Sequence, residues 1–418
     1  MKKELNIGIG FVTGRSNVCS VINSYYSYIK GQLANLNREV NITFYILFDL
    51  KYQGASREDF YQLDQEIFDE DGINVKYITP EDIAERKEVV KTFYKLDDDE
   101  VNLIFGNGHA KGRNTIMYFA YQDKMDYLLF WDDDEYPVAC IKKDDGTIEW
   151  KMQDNVLKHI EYMEKEKADV TIGYHCGYIS PIPYMSYETP EEEEIVTDFI
   201  ESISNELVSW KSIKATFEEN NGVTFAKDDI ANGEGAYEMQ KVDGRKFVAG
   251  STLCLNLKHI KNIPAFYNPP EARGEDTFFS MGIGDLKVIK VPEYHFHDGF
   301  LKYRDIMKGE FPEKLKLVKT SDKAVEKRFY KACLGWIKYK PLLMYLMDKE
   351  NYKKKMEVTH KKLKRSIKKI DALFDNYNFQ DILVALEKYD SDVEKHYQAF
   401  LDTNRVWKKL KKRMEVER

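Results

Sequence analysis

Cysteine is scarce in this 418-residue chain and never paired at short range: Cys19, Cys140, Cys176, Cys254 and Cys333 stand apart, with no CxxC among them. That argues against a zinc site and against a disulfide framework, and a reducing cytosol suits such a chain. No apolar run reaches the roughly 18 residues that a membrane-spanning helix requires. The opening MKKELNIGIGFVTGR places two lysines before an apolar patch. That patch is short, contains Asn6 and runs into Thr13, Gly14 and Arg15 without a small-residue cleavage site, so it reads as a first strand rather than a leader. Internal repeats, Gly/Ser linkers and sustained heptads are lacking as well, which leaves a compact fold without a flexible tether or a long coiled coil.

What is present is ordinary soluble-globular material, 43% hydrophobic and 32% charged, enough for one large or two moderate domains. The charge is unevenly placed. Residues 301–418 carry 31 Lys and Arg against 18 Asp and Glu, whereas residues 1–300 carry 32 against 53. An acidic body with a basic tail suggests a polyanionic partner for the tail, such as an anionic membrane surface or a phosphate-bearing polymer; a solvated lysine-rich helical surface explains the same counts. No nucleic-acid-binding module is recognisable, so no specific nucleic-acid partner is expected.

Periodicity organises the first half. LNIGIGFV (5–12) and NITFYILF (41–48) are strand-like runs separated by an amphipathic stretch from Val18 to Leu36, which predicts a β-α-β unit with Asp49 at the end of its second strand. Residues 56–99 read as mixed and mostly helical, with a helix start at Pro80. GNGHAKGRN then leads into a helix over 115–121, followed by the strand YLLFW. In the second half, strands are predicted at 170–174 and 247–256, a helix start at 191–194, a Pro-rich loop before a short helix at GED, and the strand LKVIKV before YHFHDGF. Beyond Leu301 the chain reads as helical. Its segment LGWIKYKPLLMYLM (334–347) suits either a core helix or one lying on a membrane surface, and DILVALEKY (381–389) is amphipathic.

The most informative stretch is YLLFWDDDEYP (127–137), an apolar strand ending in Asp132, Asp133, Asp134 and Glu135. Carboxylates at the carboxyl end of a buried strand are suited to hold a divalent ion over a phosphorylated ligand; a solvated acidic turn is the plainer alternative. Hard oxygen donors favour Mn2+ or Mg2+. Asp132 and Asp134, two apart, fall on one side of an extended chain, with Asp133 facing the other way.

Taken in order, an acid ending strand two, GRN before a helix, an apolar strand ending DDD, GED opening a helix and then HFH, the chain resembles the GT-A glycosyltransferases, most closely their family 2, which show an "ARN" helix, a "flDxD" strand end and a later "ED". The resemblance spans roughly residues 5–300. It implies an α/β, Rossmann-like domain with a mixed central sheet flanked by helices (1–125 the nucleotide-binding half, 126–300 the metal and acceptor half), and a helical basic extension over 301–418.

By that resemblance the chain is a metal-dependent, inverting and non-processive enzyme, since the QxxRW motif of processive synthases is missing. It would move a sugar from a nucleotide diphosphate sugar, a UDP-sugar by preference, to a glycan, a polyol-phosphate or a lipid-linked acceptor. Asp132 and Asp134 would hold the metal, completed by His297 or His295, with His297 preferred because it borders the DG loop. Asp276 would be the general base. Thr13, Arg15, Asp49, Arg113 and Asp133 would contact the nucleotide, with Lys111 a lesser candidate and Asn114 ordering its loop. Glu275 and the aromatic faces of Tyr178 and Tyr184 would meet the acceptor, with Trp210, Tyr237, Phe266 and Tyr267 as further faces. FDLKYQG (48–54) departs from the usual DDGSTD and leaves the base open. A cytoplasmic location, peripheral at the inner face of the membrane, follows. The rivals are a retaining GT-A transferase, a nucleotidyltransferase, and a non-catalytic polyanion-binding protein that uses the tail.

Overall fold

The computed structural model describes residues 4–33, 38–50, 56–63, 68, 72–178, 181–203, 210–374 and 376–417. The sequence-predicted β-α-β unit is present: β1 (Leu5–Thr13), α1 (Val18–Leu33) and β2 (Val40–Phe48), with β1 and β2 parallel. The predicted end of the helix at Leu36 lies outside the described residues. Along β2 the side chains alternate between two cores. Ile42, Phe44, Ile46 and Phe48 join α1 on one face of the sheet, while Tyr45 and Leu47 join the other face.

A strand that the sequence reading missed follows, β3 (Ile73–Ile78); it pairs with β2 at the sheet edge, where polar Asn74 and Lys76 break the apolar pattern. Then come α2 (Pro80–Tyr94), whose start is fixed by a Thr79–Asp82 capping box, α3 (Asp98–Ile104) and α4 (His109–Gln122). Helix α4 begins six residues earlier than expected. Gly108 caps it at φ 93°, so Lys111, Arg113 and Asn114 sit on the helix and not in a loop before it.

β4 (Tyr127–Phe130) lies beside β1, parallel to it. Next are β5 (Glu135–Tyr136), the hairpin β6 (Val138–Lys142) and β7 (Ile148–Met152), α5 (Leu157–Glu166) and β8 (Val170–Tyr178). They lead to α6 (Pro190–Ile203), α7 (Trp210–Asn220), α8 (Asp228–Ala231) and β9 (Tyr237–Glu238). Of the predicted strand at 247–256 only β10 (Leu253–Asn256) forms, because Gly250–Thr252 makes a 3-10 turn. α9 (Glu275–Gly282) and β11 (Val288–Asp298) complete the α/β body, and YHFH belongs to β11 itself.

The sheet is mixed, ordered β3-β2-β1-β4-β10-β8-β11-β5, with β9 pairing on β11 off this path. Strand β10 runs antiparallel to both neighbours, and β11 runs parallel to β8. The carboxyl ends of β1, β2, β4, β8 and β11 therefore meet at one edge of the sheet, together with the start of β10. In an open α/β sheet that is the edge where ligands bind.

Four helices close the chain: α10 (Lys323–Met347), α11 (Tyr352–Asp371), α12 (Gln380–Ser391) and α13 (Val393–Glu417). They pack on the body, as the lack of a linker implies. α10 to α12 share a core with α6 and α7, whereas Val406, Trp407, Leu410 and Met414 of α13 enter the core under the sheet. The segment 334–347 is core helix: Ile337, Leu342 and Leu343 are buried, and its lysines are engaged, Lys340 with the Glu201 carbonyl at 3.1 Å and Lys338 with Glu271 at 3.0 Å.

Part of the basic excess of the tail is likewise internal. Lys369, Arg365 and Lys362 of α11 pair with Glu192, Glu194 and Asp198 of α6. No helix among the described residues is long and apolar enough to cross a membrane.

Trp407 is 1% exposed, and its Nε1 donates to the Ile263 carbonyl at 3.0 Å. Trp407→Ala is expected to cost about 3–5 kcal/mol in a urea titration, with sheet and C-terminal helices unfolding in one transition.

Candidate functional site

A cleft of about 690 Å3 opens at this edge of the sheet. Thr13 and Asp49 come from the ends of β1 and β2, Asp132 to Asp134 from the turn after β4, His175 from β8 and His297 from β11. Glu275 and Asp276 come from the first turn of α9, and Arg328, Trp336 and Tyr339 from α10.

Residues 132–134 do not continue the strand. The chain turns, and the expected alternation of Asp132 and Asp134 against Asp133 does not hold. Asp133 and Asp134 face the same cation: Arg15 Nη1 lies 2.5 Å from Asp133 Oδ1 and 2.9 Å from Asp134 Oδ2. Thr13 Oγ1 donates to Asp133 Oδ2, and Asn17 Nδ2 donates to the Asp133 carbonyl at 2.9 Å. Asp134 Oδ2 also accepts from Arg328 Nη2 at 3.0 Å and stands 3.9 Å from His297 Nε2. Burial opposes the charge of Asp134, but the neighbouring Arg15, His297 and Arg328 outweigh it and hold the carboxyl below the ordinary range.

Asp132 turns to another partner, Arg113 Nη2 at 3.1 Å. Arg113 is 3% exposed, donates through Nη1 to the Gly250 carbonyl at 2.7 Å and lies over the Phe130 ring at 4.9 Å. Asn114 exchanges two hydrogen bonds with the Phe266 backbone, so it orders that segment and not its own loop.

Glu135 is the root of a buried chain of carboxylates and imidazoles. Its Oε1 accepts from Ser251 Oγ at 2.6 Å and lies 3.0 Å from His175 Nε2; its Oε2 lies 3.3 Å from His295 Nδ1. His295 continues to Glu293 at 3.4 Å, and Glu293 to His159 at 3.3 Å. Burial is outweighed in both acids by these rings, so Glu135 and Glu293 are held below the ordinary carboxyl range. His295, pushed down by burial, is raised on balance by Glu293 and Glu135. The expectation that His295 faces a metal is corrected: its ring is fully buried and hydrogen-bonded to Tyr25 Oη at 2.8 Å, while His297, two residues nearer the strand end, reaches the cleft.

At the opposite wall, Glu275 Oε1 lies 3.6 Å from Arg113 Nε. Asp276 Oδ1 accepts from the Thr277 amide at 2.8 Å. Burial and the neighbouring charge of Glu275 push the Asp276 carboxyl up to about 6.

The aromatic acceptor faces are also corrected. Tyr178 is 2% exposed and donates to the Lys316 carbonyl at 2.5 Å, and Tyr184 packs on Phe217 and bridges to Lys319; neither lines the cleft. Trp210, Phe266 and Tyr267 are core residues, and Tyr237 is exposed on β9 away from the cleft. Sequence reasoning missed His175, Lys290, Arg273, Arg328, Trp336 and Tyr339, all of which line it. Only the basic character of the tail hinted at Arg328.

Among the described residues no three His, Cys, Asp or Glu side chains converge into a metal-holding group. What the cleft offers is a pair, Asp134 and His297. Mg2+-type ions commonly take one or two protein donors and complete their shell with substrate phosphates and water, and a carboxylate with an imidazole suits Mn2+ too. The donor set thus fits a cation shared with a phosphorylated ligand. No protein-family model matches this chain, and no curated protein matches it.

Gly173 makes room for the buried chain: a Cβ there would lie 1.4 Å from Glu293 Oε1. Gly173→Ala is expected to displace that carboxylate and to lower stability by about 3 kcal/mol or more, read as a fall in Tm.

Proposed function

We propose that this chain is a GT-A-type glycosyltransferase that uses a nucleotide diphosphate sugar. The observation that carries the reading is the meeting, in one cleft at the carboxyl edge of a mixed α/β sheet, of three kinds of group. They are an acidic turn, guanidinium groups, and a carboxylate on a helix N-terminus whose pKa is pushed up to about 6. Transfer of a sugar needs negative charge stabilised on the departing diphosphate and a proton removed from the attacking hydroxyl.

Arg15, just after β1, and Arg113, on α4, both line the cleft, where they would face a diphosphate laid across the edge. Asp49, whose amide donates to the Thr13 carbonyl at 2.9 Å, lines the cleft just past β2, where a nucleoside would lie. A Mn2+ or Mg2+ ion held by Asp134 and His297 would offset charge on the leaving phosphates. Asp276 accepts the proton of the acceptor hydroxyl as that hydroxyl attacks the anomeric carbon, which gives inversion. Its raised pKa leaves it ionised at neutral pH and a better proton acceptor than an ordinary aspartate. The acceptor enters from the α10 side, where Tyr339 lies against the Asp276 segment and Trp336 offers an aromatic face.

A thermal-shift panel of UDP, GDP, CDP and dTDP, each with and without Mn2+, tests the donor site. One nucleotide is expected to raise Tm in wild type with metal, and Asp134→Ala is expected to lose that metal-dependent shift while remaining folded. If no nucleotide raises Tm under any metal condition, the reading fails.

Asp276 gives the pH dependence. A base must be deprotonated, so kcat should rise with pH through about 6 and level off above it. Asp276→Asn should lose about 100- to 10,000-fold in kcat with nucleotide binding retained. Inverted anomeric configuration in the product separates this mechanism from a retaining one.

A further inference from the structure

Helix α10 belongs to the C-terminal region that carries none of the motifs of the α/β body, yet it places Arg328 in the cleft. The side chain of Arg328 is 20% exposed, and its burial lowers its pKa. Nη2 donates to Asp134 Oδ2 at 3.0 Å, the same oxygen that Arg15 Nη1 meets at 2.9 Å. Its Nε is buried without a hydrogen-bond partner.

Two guanidiniums share that one carboxylate oxygen, and the Nε–H of Arg328 is buried without an acceptor. An arginine kept for stability alone would have its fork filled. One whose fork is half-used, at the mouth of a cleft, is suited to take a planar, multi-oxygen anion.

Resting on the donor-site reading above, we infer that Arg328 is a phosphate-binding residue of the nucleotide site, held on Asp134 until a diphosphate arrives. The exchange balances charge. When the diphosphate enters, Arg328 turns its fork to the phosphate oxygens, and Asp134 keeps Arg15 and becomes free for a cation. The backbone backs this geometry on the neighbouring turns of α10. Gly335, 2.7 Å at its notional Cβ from Arg273 Cγ, lets the Arg273 stem cross the helix closely, and the Arg273 amide donates to the Gly335 carbonyl at 3.0 Å. The Arg273 guanidinium thereby lines the same cleft as Arg328. The C-terminal helices are in this way part of the donor site, and the basic residue they contribute reads phosphate rather than base.

The test is calorimetric binding to wild type, Arg328→Met and Arg328→Lys, with Tm recorded for each. The probes are the nucleoside diphosphate with the largest thermal shift, its monophosphate, and inorganic pyrophosphate. Arg328→Met keeps the apolar stem and should bind the diphosphate and pyrophosphate about 10-fold or more weakly, with the monophosphate changed much less. Arg328→Lys should recover only part of the loss.

Unchanged diphosphate and pyrophosphate affinity in a folded Arg328→Met overturns the inference and leaves the donor reading standing. An equal loss for all three probes overturns it as well, since a merely structural arginine would act that way. If wild type binds pyrophosphate in an Arg328-dependent manner but no nucleotide, the phosphate site stands and the nucleotide reading falls. If wild type binds neither, both fall.

Discussion

Four adjacent acidic side chains at the end of one buried strand are the constraint on which this structure turns. Their mutual repulsion, in a crevice with little water, has to be met by cations or by hydrogen bonds. Each acid finds its anchors, with Arg15 shared by two of them. Asp132 goes to Arg113 on α4, Asp133 to Thr13 and Arg15 at the end of β1, Asp134 to Arg15, to Arg328 on α10 and towards His297 on β11, and Glu135 to His175 on β8 and His295 on β11. A turn of a few residues thereby ties five elements together at the edge where the sheet opens. The chain stiffens that turn from behind by seating Trp131 against Tyr25, with ring centroids 4.0 Å apart.

That hub explains which features were legible in the sequence. The strands β1, β2, β4 and β8 and the helices α1, α6 and α9 announce themselves by local periodicity, and the acidic end of β4 needs no partner to be seen. Strand β3 is an edge strand, half polar, whose only reason to be extended is the parallel ladder from β2. The stretch before β10 looked like strand because its residues are apolar, but Gly250 and Ser251 have to turn to bring the Gly250 carbonyl to Arg113 and the Ser251 hydroxyl to Glu135. Tertiary demand decided both, and periodicity does not record it.

The site residues divide in the same way. Thr13, Arg15, Asp49, Arg113, Asp132 to Asp134, Glu275, Asp276 and His297 stood out as candidates because they lie near strand or helix ends, and all line the cleft. His295 and His297 share one face of β11 by the two-residue period, so only the place of His297 beside the DG loop favoured it in the sequence; the depth of each along the strand is set by the pairing of β11 with β8 and β5. The tyrosines Tyr178 and Tyr184 fail for a related reason. An aromatic side chain in a loop-rich stretch is as suited to the core as to a sugar, and here Tyr178 joins the sheet core beside Phe300 and Tyr303 while Tyr184 packs against the helical layer. Arg328 could not be placed at all without the fold, because the distance from Asp134 to Arg328 along the chain is 194 residues.

The two sides of the acidic turn are not equivalent, and that asymmetry has a chemical consequence. Glu135 is held in a largely buried network of imidazoles and carboxylates, and such a network resists rearrangement because moving one member leaves its buried neighbours without their partner. Asp134 sits one residue earlier in a different condition: its Oδ2 is shared by two guanidiniums, one of them arriving on a helix from another part of the chain. A rigid residue next to an adjustable one confines rearrangement to the ion pairs at the mouth of the cleft. On the proposed reading the sheet edge would stay fixed while the cations at its surface change partners, the division that electrostatic preorganisation requires: fixed dipoles beneath the reacting groups, and mobile charge only where a ligand enters.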